Sequence, residues 1–148
     1  MIKYEKGDAT RPIETEGNRI IIHICNDAGK WGKGFVLSLS KRWPSLRDSY
    51  LQDPKTLGTL NVYKLEDNIF VANLIAQHGI YVRNGIPPIR YEALETCLTE
   101  LNDFILKNIP NPSIHAPRLG CGLAGGKWDI IQQILLHTLT CPIFIYDL

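Results

Sequence analysis

The stretch from Ile20 to Gly34, IIIHICNDAGKWGKG, decides the fold. The apolar run from Arg19 to Cys25 is typical of a central strand that is covered on both faces. Three glycines follow within six positions, Gly29, Gly32 and Gly34, and glycine lets a backbone turn tightly and approach a ligand closely. A helical pattern begins directly after them. The loop thus has two lysines and leads into the start of a helix, and both features favour binding of a negatively charged group there.

A second glycine cluster, LGCGLAGG, runs from Leu119 to Gly126, and it too lies between a strand-like and a helix-like segment. One such loop most simply serves a tight turn, but two in matching positions favour a phosphate-bearing ligand held from two sides. Neither loop continues into Gly-Lys-Ser or Gly-Lys-Thr, so neither is a Walker A motif. Neither is a GxGxxG in the first βα unit with an acid downstream, which disfavours a standard dinucleotide-binding domain.

The apolar spacing predicts strands that alternate with helices. Strands are predicted over residues 2–6, 19–25, 59–65, 69–75, 113–117 and 143–146, and helices over 35–43, 45–52, 91–105 and 130–139. This order predicts one α/β domain over residues 1–148, layered around a largely parallel or mixed sheet. Parallel strands end along one edge of a sheet, where ligands bind in open α/β folds. Because Gln77-His78-Gly79 follows a third strand, we expect three loops to meet over one cleft there.

The composition limits the classes of partner. Hydrophobic residues make up 45% of the chain and charged residues 21%, which fits a soluble globular protein. The net charge of +1 gives no indication of a general affinity for nucleic acid or acidic membranes. No apolar run is long enough to cross a membrane. Any basic surface must therefore be local, as at Lys30 and Lys33.

The cysteines predict a reduced, cytoplasmic setting. Cys25, Cys97, Cys121 and Cys141 form no CxxC pair, which disfavours a zinc ribbon or a redox dithiol. Nothing in their spacing indicates a disulfide framework. No metal-ligand cluster is evident either, so we expect metal-free chemistry without a cofactor.

Two polar residues of the first strand could carry chemistry. Asn26, at the strand end, could hydrogen-bond a ligand hydroxyl such as a ribose, and it suits a turn equally well. His23 lies inside the apolar run, where a histidine is more often a satisfied core residue than a base. Asp27 and Asp129 are candidate acids, but carboxylates at a loop or helix start are more often caps.

Two further residues lie within the glycine loops. Trp31, between glycines, is expected to be too exposed for an ordinary core residue, so it could pack over a sugar or base ring or staple onto the next helix. Cys121, between two glycines, invites a nucleophile interpretation. We discount it, because thiol activation needs a cationic partner and the spacing indicates none.

Over nearly its whole length the chain resembles a macrodomain. Gly7-Asp8-Ala9-Thr10 resembles the family's Gly-Asp-Ile-Thr motif, whose aspartate receives the adenine amino group. His23-Ile24-Cys25-Asn26 stands at the family's Asn-Ala-Ala-Asn position, so that Asn26 matches the asparagine that contacts the distal ribose. Gly29–Gly34 and Pro117–Leu123 resemble the first and second phosphate loops. The resemblance implies a three-layer α/β/α fold with a mixed central sheet, and ADP-ribose or a derivative as ligand.

The residues that the resemblance implies as ligand-binding come from the strand ends and the two loops. They are Asp8, Ala9, Asn26, Gly29, Trp31, Gly32, Lys33, Gly34, Leu119, Gly120, Cys121, Gly122, Leu123 and Ala124.

Trp31-Gly32-Lys33-Gly34 and Arg42-Trp43-Pro44 are most similar to the branch that contains ADP-ribose 1''-phosphate phosphatases and terminal ADP-ribose-protein glycohydrolases. Those glycohydrolases use a lysine in the middle loop and an aspartate after Gly-Cys-Gly-Leu, where this chain has Gln77-His78 and Ala124. The phosphatases of this branch use a histidine in the strand before the first loop, which His23 matches, so the resemblance implies a phosphatase in which His23 and Asn26 are catalytic. The alternatives are a hydrolase that removes ADP-ribose from proteins or nucleic acid, and a non-enzymatic reader of ADP-ribosylated molecules. A different α/β nucleotide-binding sandwich is the alternative fold.

Overall fold

Six strands and four helices follow one another in the predicted order. The computed structural model describes all residues from 1 to 148. The strands are β1 (Ile2–Lys6), β2 (Asn18–Asn26), β3 (Leu60–Glu66), β4 (Ile69–Gln77), β5 (Pro112–Ala116) and β6 (Ile143–Asp147). The helices are α1 (Phe35–Arg42), α2 (Ser45–Gln52), α3 (Tyr91–Asn108) and α4 (Trp128–Thr138). Each predicted element is present, with its ends displaced by at most about three residues, as is usual for such boundaries.

The strands form one mixed sheet in the order β1-β6-β5-β2-β4-β3. All neighbouring pairs are parallel except β3 and β4, which form an antiparallel hairpin at one edge. Apolar side chains of α3 and α4 pack on one face of the sheet, and those of α1 and α2 pack on the other. The three-layer α/β/α architecture is thereby confirmed.

Strand β2 lies at the centre because both of its faces are apolar. Ile20 and Ile22 are buried on the α3 and α4 side, whereas Ile21 and Cys25 are buried on the α1 and α2 side. Fully burying one isoleucine contributes about 1.5–3 kcal/mol, so this run strongly favours the central position.

The parallel strands bring three loops to one edge. The last residues of β2, β4 and β5 are Asn26, Gln77 and Ala116, and β2 pairs in parallel with both neighbours. The expectation that the loops after these strands lie together is confirmed. No helix has the length and apolar character needed to span a membrane. All four cysteines are free.

Candidate functional site

A cavity of about 890 Å³ opens between the three loops at this edge. Small-molecule sites typically measure about 300–1,000 Å³, so the cavity can hold a ligand of nucleotide size. Its charged lining residues are Lys30, Lys33, Arg47 and Arg118, and no aspartate or glutamate lines it. A chain of net charge +1 thus concentrates positive charge in one place, which favours an anionic ligand.

Only one of these four cations is neutralised within the protein. Arg118 forms two hydrogen bonds of 2.9 Å to the carboxylate of Asp147, and its guanidinium lies over the rings of Tyr4 and Trp128. The charged groups of Lys30, Lys33 and Arg47 have no hydrogen-bond or salt-bridge partner. Three cations are therefore free to meet a ligand.

The first glycine loop presents backbone donors. Gly34 has φ +79°, a conformation that L side chains rarely adopt, and α1 begins directly after it. The N–H groups of Gly32, Lys33 and Gly34 have no acceptor in the protein. Unpaired N–H groups beside a helix N-terminus form a ready anion site.

The second glycine loop has the same character. Gly120 has φ +66°, and a Cβ atom there would lie 2.6 Å from Cδ1 of Ile89. The loop is closed by a 2.7 Å hydrogen bond from the N–H of Gly126 to the carbonyl of Gly120. The N–H groups of Gly122, Leu123 and Ala124 have no acceptor in the protein. The cavity is thus bordered by unpaired backbone donors on two sides.

Asn26 lines the cavity and also builds the first loop. Its Oδ1 atom accepts from the N–H groups of Ala28 (3.1 Å) and Lys30 (3.0 Å), and its Nδ2 atom donates to the carbonyl of Lys30 at 2.8 Å. The hydroxyl of Tyr50 approaches the same side chain. The turn role that the sequence allowed is therefore present.

His23 lines the cavity from below, but only 2% of its surface is exposed. Its Nε2 atom lies 2.5 Å from Oδ1 of Asn73, and its ring packs edge-on against Trp31 at 5.7 Å between centroids. Burial lowers the pKa of His23 to about 4, although the hydrogen bond to Asn73 acts in the opposite direction. The imidazole is therefore neutral near pH 7.

The expectation that Trp31 is exposed is wrong. Only 6% of its surface is accessible, and its ring packs against Tyr50 at 5.2 Å between centroids. The first loop folds back over the α1 and α2 face, so the indole joins the core there while still lining the cavity. Its Nε1 atom is buried without a hydrogen-bond partner. Trp31 supports the cavity wall and does not project from it.

Three predicted ligand residues lie outside the cavity lining: Asp8, Ala9 and Cys121. Asp8 accepts hydrogen bonds from the N–H (2.9 Å) and hydroxyl (2.8 Å) of Thr10, closing the turn after β1. Ala9 is buried against the last strand. Burial raises the pKa of Cys121, although Arg118 acts to lower it, so the thiol stays protonated near neutral pH. This agrees with discounting it as a nucleophile.

Asp27 joins the first loop to the middle loop. Its carboxylate lies 2.7 Å from Nδ1 of His78 and accepts from the N–H of Gly79 at 2.8 Å. Burial raises the pKa of Asp27, but the hydrogen bonds from Gly79 and His78 outweigh it and hold the pKa below its usual range. Its carboxylate holds two loops together and caps no helix. No group of three or more His, Cys, Asp or Glu side chains is placed to hold a metal ion.

Four residues of the site were not among those predicted from the sequence: Arg47, Tyr50, Asn73 and Tyr81. Arg47 lies on α2 and Tyr81 in the middle loop, and both line the cavity. Tyr50 and Asn73 lie beneath it and contact Asn26 and His23. No short-range motif marks them, because their roles depend on the packing of distant segments.

Several solved structures are similar to this chain over its whole length. No protein-family model matches the sequence. The chain is 46% identical to a protein of unknown function from Bacteroides thetaiotaomicron, with a TM-score of 0.94 over 100% of this chain and 98% of that chain. It is 37% identical to a macrodomain protein from Streptomyces coelicolor, with a TM-score of 0.85 over 100% and 99% of the two chains. Thermosipho africanus DarTG, solved in complex with ADP-ribose, shares the fold at 21% identity, with a TM-score of 0.66 over 86% of this chain and 37% of that chain.

Two curated proteins are also similar in sequence. An uncharacterized 17.5 kDa protein of Enterobacteria phage T4 is 33% identical over 141 residues, which cover 91% of this chain and 88% of that protein. An ADP-ribose 1''-phosphate phosphatase from Candida albicans is 24% identical over 143 residues, which cover 91% and 92% of the two proteins.

Proposed function

This chain belongs to the macrodomain family, and from that premise we propose that its cavity binds ADP-ribose. The observation that carries the proposal is electrostatic. Two loops with unpaired N–H groups and three free cations border one cavity that no carboxylate lines. A pyrophosphate is an anion with acceptor oxygens on two sides, so two facing sets of donors suit it.

The roles of the loop residues and of Asn26 follow from this placement, whereas those of Asp8 and Ala9, which lie outside the cavity lining, follow from the family resemblance alone. The pyrophosphate lies between the loops Gly29–Gly34 and Gly120–Gly125, close to Lys30 and Lys33. Asn26 contacts the distal ribose. Asp8 and Ala9 hold adenine at the end of β1, which reaches the same edge of the sheet.

The reaction proposed is hydrolysis of ADP-ribose 1''-phosphate. Similarity to phosphatases of that name in Candida albicans and two other yeasts supports it. A water oxygen attacks the phosphorus, the bond from phosphorus to the 1'' oxygen breaks, the 1'' oxygen takes up a proton from solvent, and ADP-ribose and inorganic phosphate leave. His23 accepts the water proton at Nδ1, since its Nε2 donates to Asn73. A pKa of about 4 makes His23 a weak base, so we expect turnover to be slow.

A non-enzymatic reader is the second candidate. The burial of His23 and the lack of carboxylates in the cavity lining favour it, because acid–base hydrolysis needs a group that reaches the reacting atoms. Such a reader would bind the ADP-ribose of a modified protein or nucleic acid.

Two measurements on the unsubstituted protein test the proposal. Calorimetric titrations with ADP-ribose, ATP and NAD should give the tightest binding for ADP-ribose, and equal affinity for all three would contradict it. Incubation with ADP-ribose 1''-phosphate should release inorganic phosphate. Release of ADP-ribose from a modified protein or nucleic acid instead would indicate the ADP-ribosyl hydrolase, and tight binding with neither product would indicate the reader.

A further inference from the structure

The side chain of Asn26 has almost no free hydrogen-bonding capacity. Its Oδ1 atom is approached by the N–H groups of Ala28 and Lys30 and by the hydroxyl of Tyr50, at 3.1, 3.0 and 2.8 Å. An amide oxygen has two lone pairs, so it has no acceptor site left for a ligand. One Nδ2 hydrogen is donated to the carbonyl of Lys30. The other Nδ2 hydrogen is all that Asn26 can offer to the cavity.

Tyr50 is the one side chain that fixes this arrangement from outside the loop. It lies on α2 with 1% of its surface exposed, and its hydroxyl is 2.6 Å from the backbone carbonyl oxygen of Asn26. The ring is held by Trp31, and the ammonium of Lys55 lies 5.6 Å from its centroid. Because burial raises the pKa of Tyr50, its hydroxyl keeps its one proton, which it donates either to the backbone carbonyl oxygen or to the Oδ1 atom of Asn26.

We infer that Tyr50 is a positioning residue, which orients Asn26 so that it presents a single N–H donor to an acceptor oxygen of the distal sugar. The inference rests on the proposed function, because it takes ADP-ribose as the ligand. It adds that Asn26 can only donate a hydrogen bond to the ligand. It can therefore bind a hydroxyl oxygen, which accepts, and it cannot bind a group that only donates. It also makes α2, which lies outside both glycine loops, a determinant of discrimination between ADP-ribose and ADP, which lacks the distal sugar.

Tyr63 gives a matched control. Its hydroxyl also donates to an oxygen on the same side of the sheet, a carboxylate oxygen of Asp53, but it makes no hydrogen bond to Asn26. Tyr63→Phe therefore removes a comparable hydrogen bond without touching the loop. An effect on binding that occurs in Tyr50→Phe but not in Tyr63→Phe can then be attributed to the lost hydrogen bond with Asn26.

The test compares ADP-ribose and ADP by calorimetry in the unsubstituted protein, Tyr50→Phe and Tyr63→Phe. Losing one hydrogen bond should weaken ADP-ribose binding about 3- to 10-fold in Tyr50→Phe, with ADP binding changed less than about 2-fold. Tyr63→Phe should change neither. Unchanged ADP-ribose affinity in Tyr50→Phe, or an equal loss for both nucleotides, would overturn the inference.

A second variant keeps the inference testable if Tyr50→Phe folds poorly. Asn26→Asp keeps one acceptor oxygen for the loop and Tyr50 but replaces both N–H donors, including the one bonded to the carbonyl of Lys30, by a charged carboxylate oxygen. Because the added charge acts on the phosphates of both nucleotides, the variant is judged by the difference between them. It should weaken ADP-ribose more than ADP, and equal affinities for ADP-ribose in the variant and the unsubstituted protein would count against a donor role. If the unsubstituted protein binds ADP but gains nothing from the distal ribose, Asn26 does not contact that sugar and the inference fails, although a nucleotide site remains. Failure to bind either nucleotide would contradict the proposed function itself.

Discussion

The Nε2 atom of His23 lies 2.5 Å from the Oδ1 atom of Asn73, across the pairing of β2 with β4. An amide oxygen only accepts, so the proton of the neutral imidazole is on Nε2 and Nδ1 is unprotonated. Both side chains are buried, and the ring lies between the core and the cavity. The same hydrogen bond therefore joins two strands of the sheet and fixes which ring nitrogen of His23 can accept a proton in the cavity.

The free energy of unfolding should decrease as the pH is lowered, because of His23. Its folded pKa is about 4 and its unfolded value about 6.5, so below pH 6.5 the unfolded chain binds the proton and the folded protein does not. The free energy of unfolding should therefore drop by about 1–2 kcal/mol between pH 7 and pH 5 through this group. Burial also lowers the pKa of His115 to about 4, which adds a second contribution of the same sign.

Urea-induced unfolding at several pH values measures this effect. His23→Gln should have a smaller drop than the unsubstituted protein, because one of the two buried histidines is gone. His137→Gln, which changes an exposed histidine, should leave the drop intact. Equal pH dependence in all three proteins would show that His23 is not held neutral.

Phosphate release should depend on His23. If Nδ1 accepts the proton of the attacking water, His23→Gln should lower the rate of phosphate release from ADP-ribose 1''-phosphate by about 10²-fold or more. ADP-ribose affinity should change little, since the cations and N–H donors remain. His137→Gln is the control for both quantities. Undiminished release by His23→Gln would remove this residue from the mechanism.

Ionic strength should weaken ADP-ribose binding. Lys30 and Lys33 have no partner in the protein, and salt screens attraction between solvent-accessible charges. Lys33→Gln should lower the affinity about 2- to 5-fold at low salt and reduce the dependence on salt. Lys107→Gln, which changes an exposed lysine at the end of α3, should do neither. Calorimetry at about 0.05 M and about 0.5 M NaCl distinguishes these outcomes.

The conformation of the first loop should depend on Gly34. A Cβ atom at Gly34 or at Gly32 would meet no other atom, but only Gly34 has a positive φ. Gly34→Ala should therefore lower the free energy of unfolding by about 1–3 kcal/mol through backbone strain alone. Gly32→Ala should cost less than about 1 kcal/mol. Urea titrations compare the two, and equal losses would mean that the conformation at Gly34 is not what the loop requires.

Much of the fold could be predicted because its signals are local. The isoleucine run of β2 and the glycines after it depend on neighbouring residues only, and the parallel topology then brings the loops together. Trp31 could not be predicted in the same way, because its burial depends on Tyr50, which approaches from α2. Asn73 escaped notice for a similar reason, since it contacts His23 across two strands that are far apart in sequence. The glycines of the site were therefore predictable, whereas the side chains that support it from beneath were not.

A crystal structure of the protein soaked with ADP-ribose tests the central claim most directly. The pyrophosphate oxygens should lie within hydrogen-bond distance of N–H groups in both Gly32–Gly34 and Gly122–Ala124, with the distal ribose beside Asn26. An empty cavity at saturating ligand, or a pyrophosphate bound away from these N–H groups, would contradict the account.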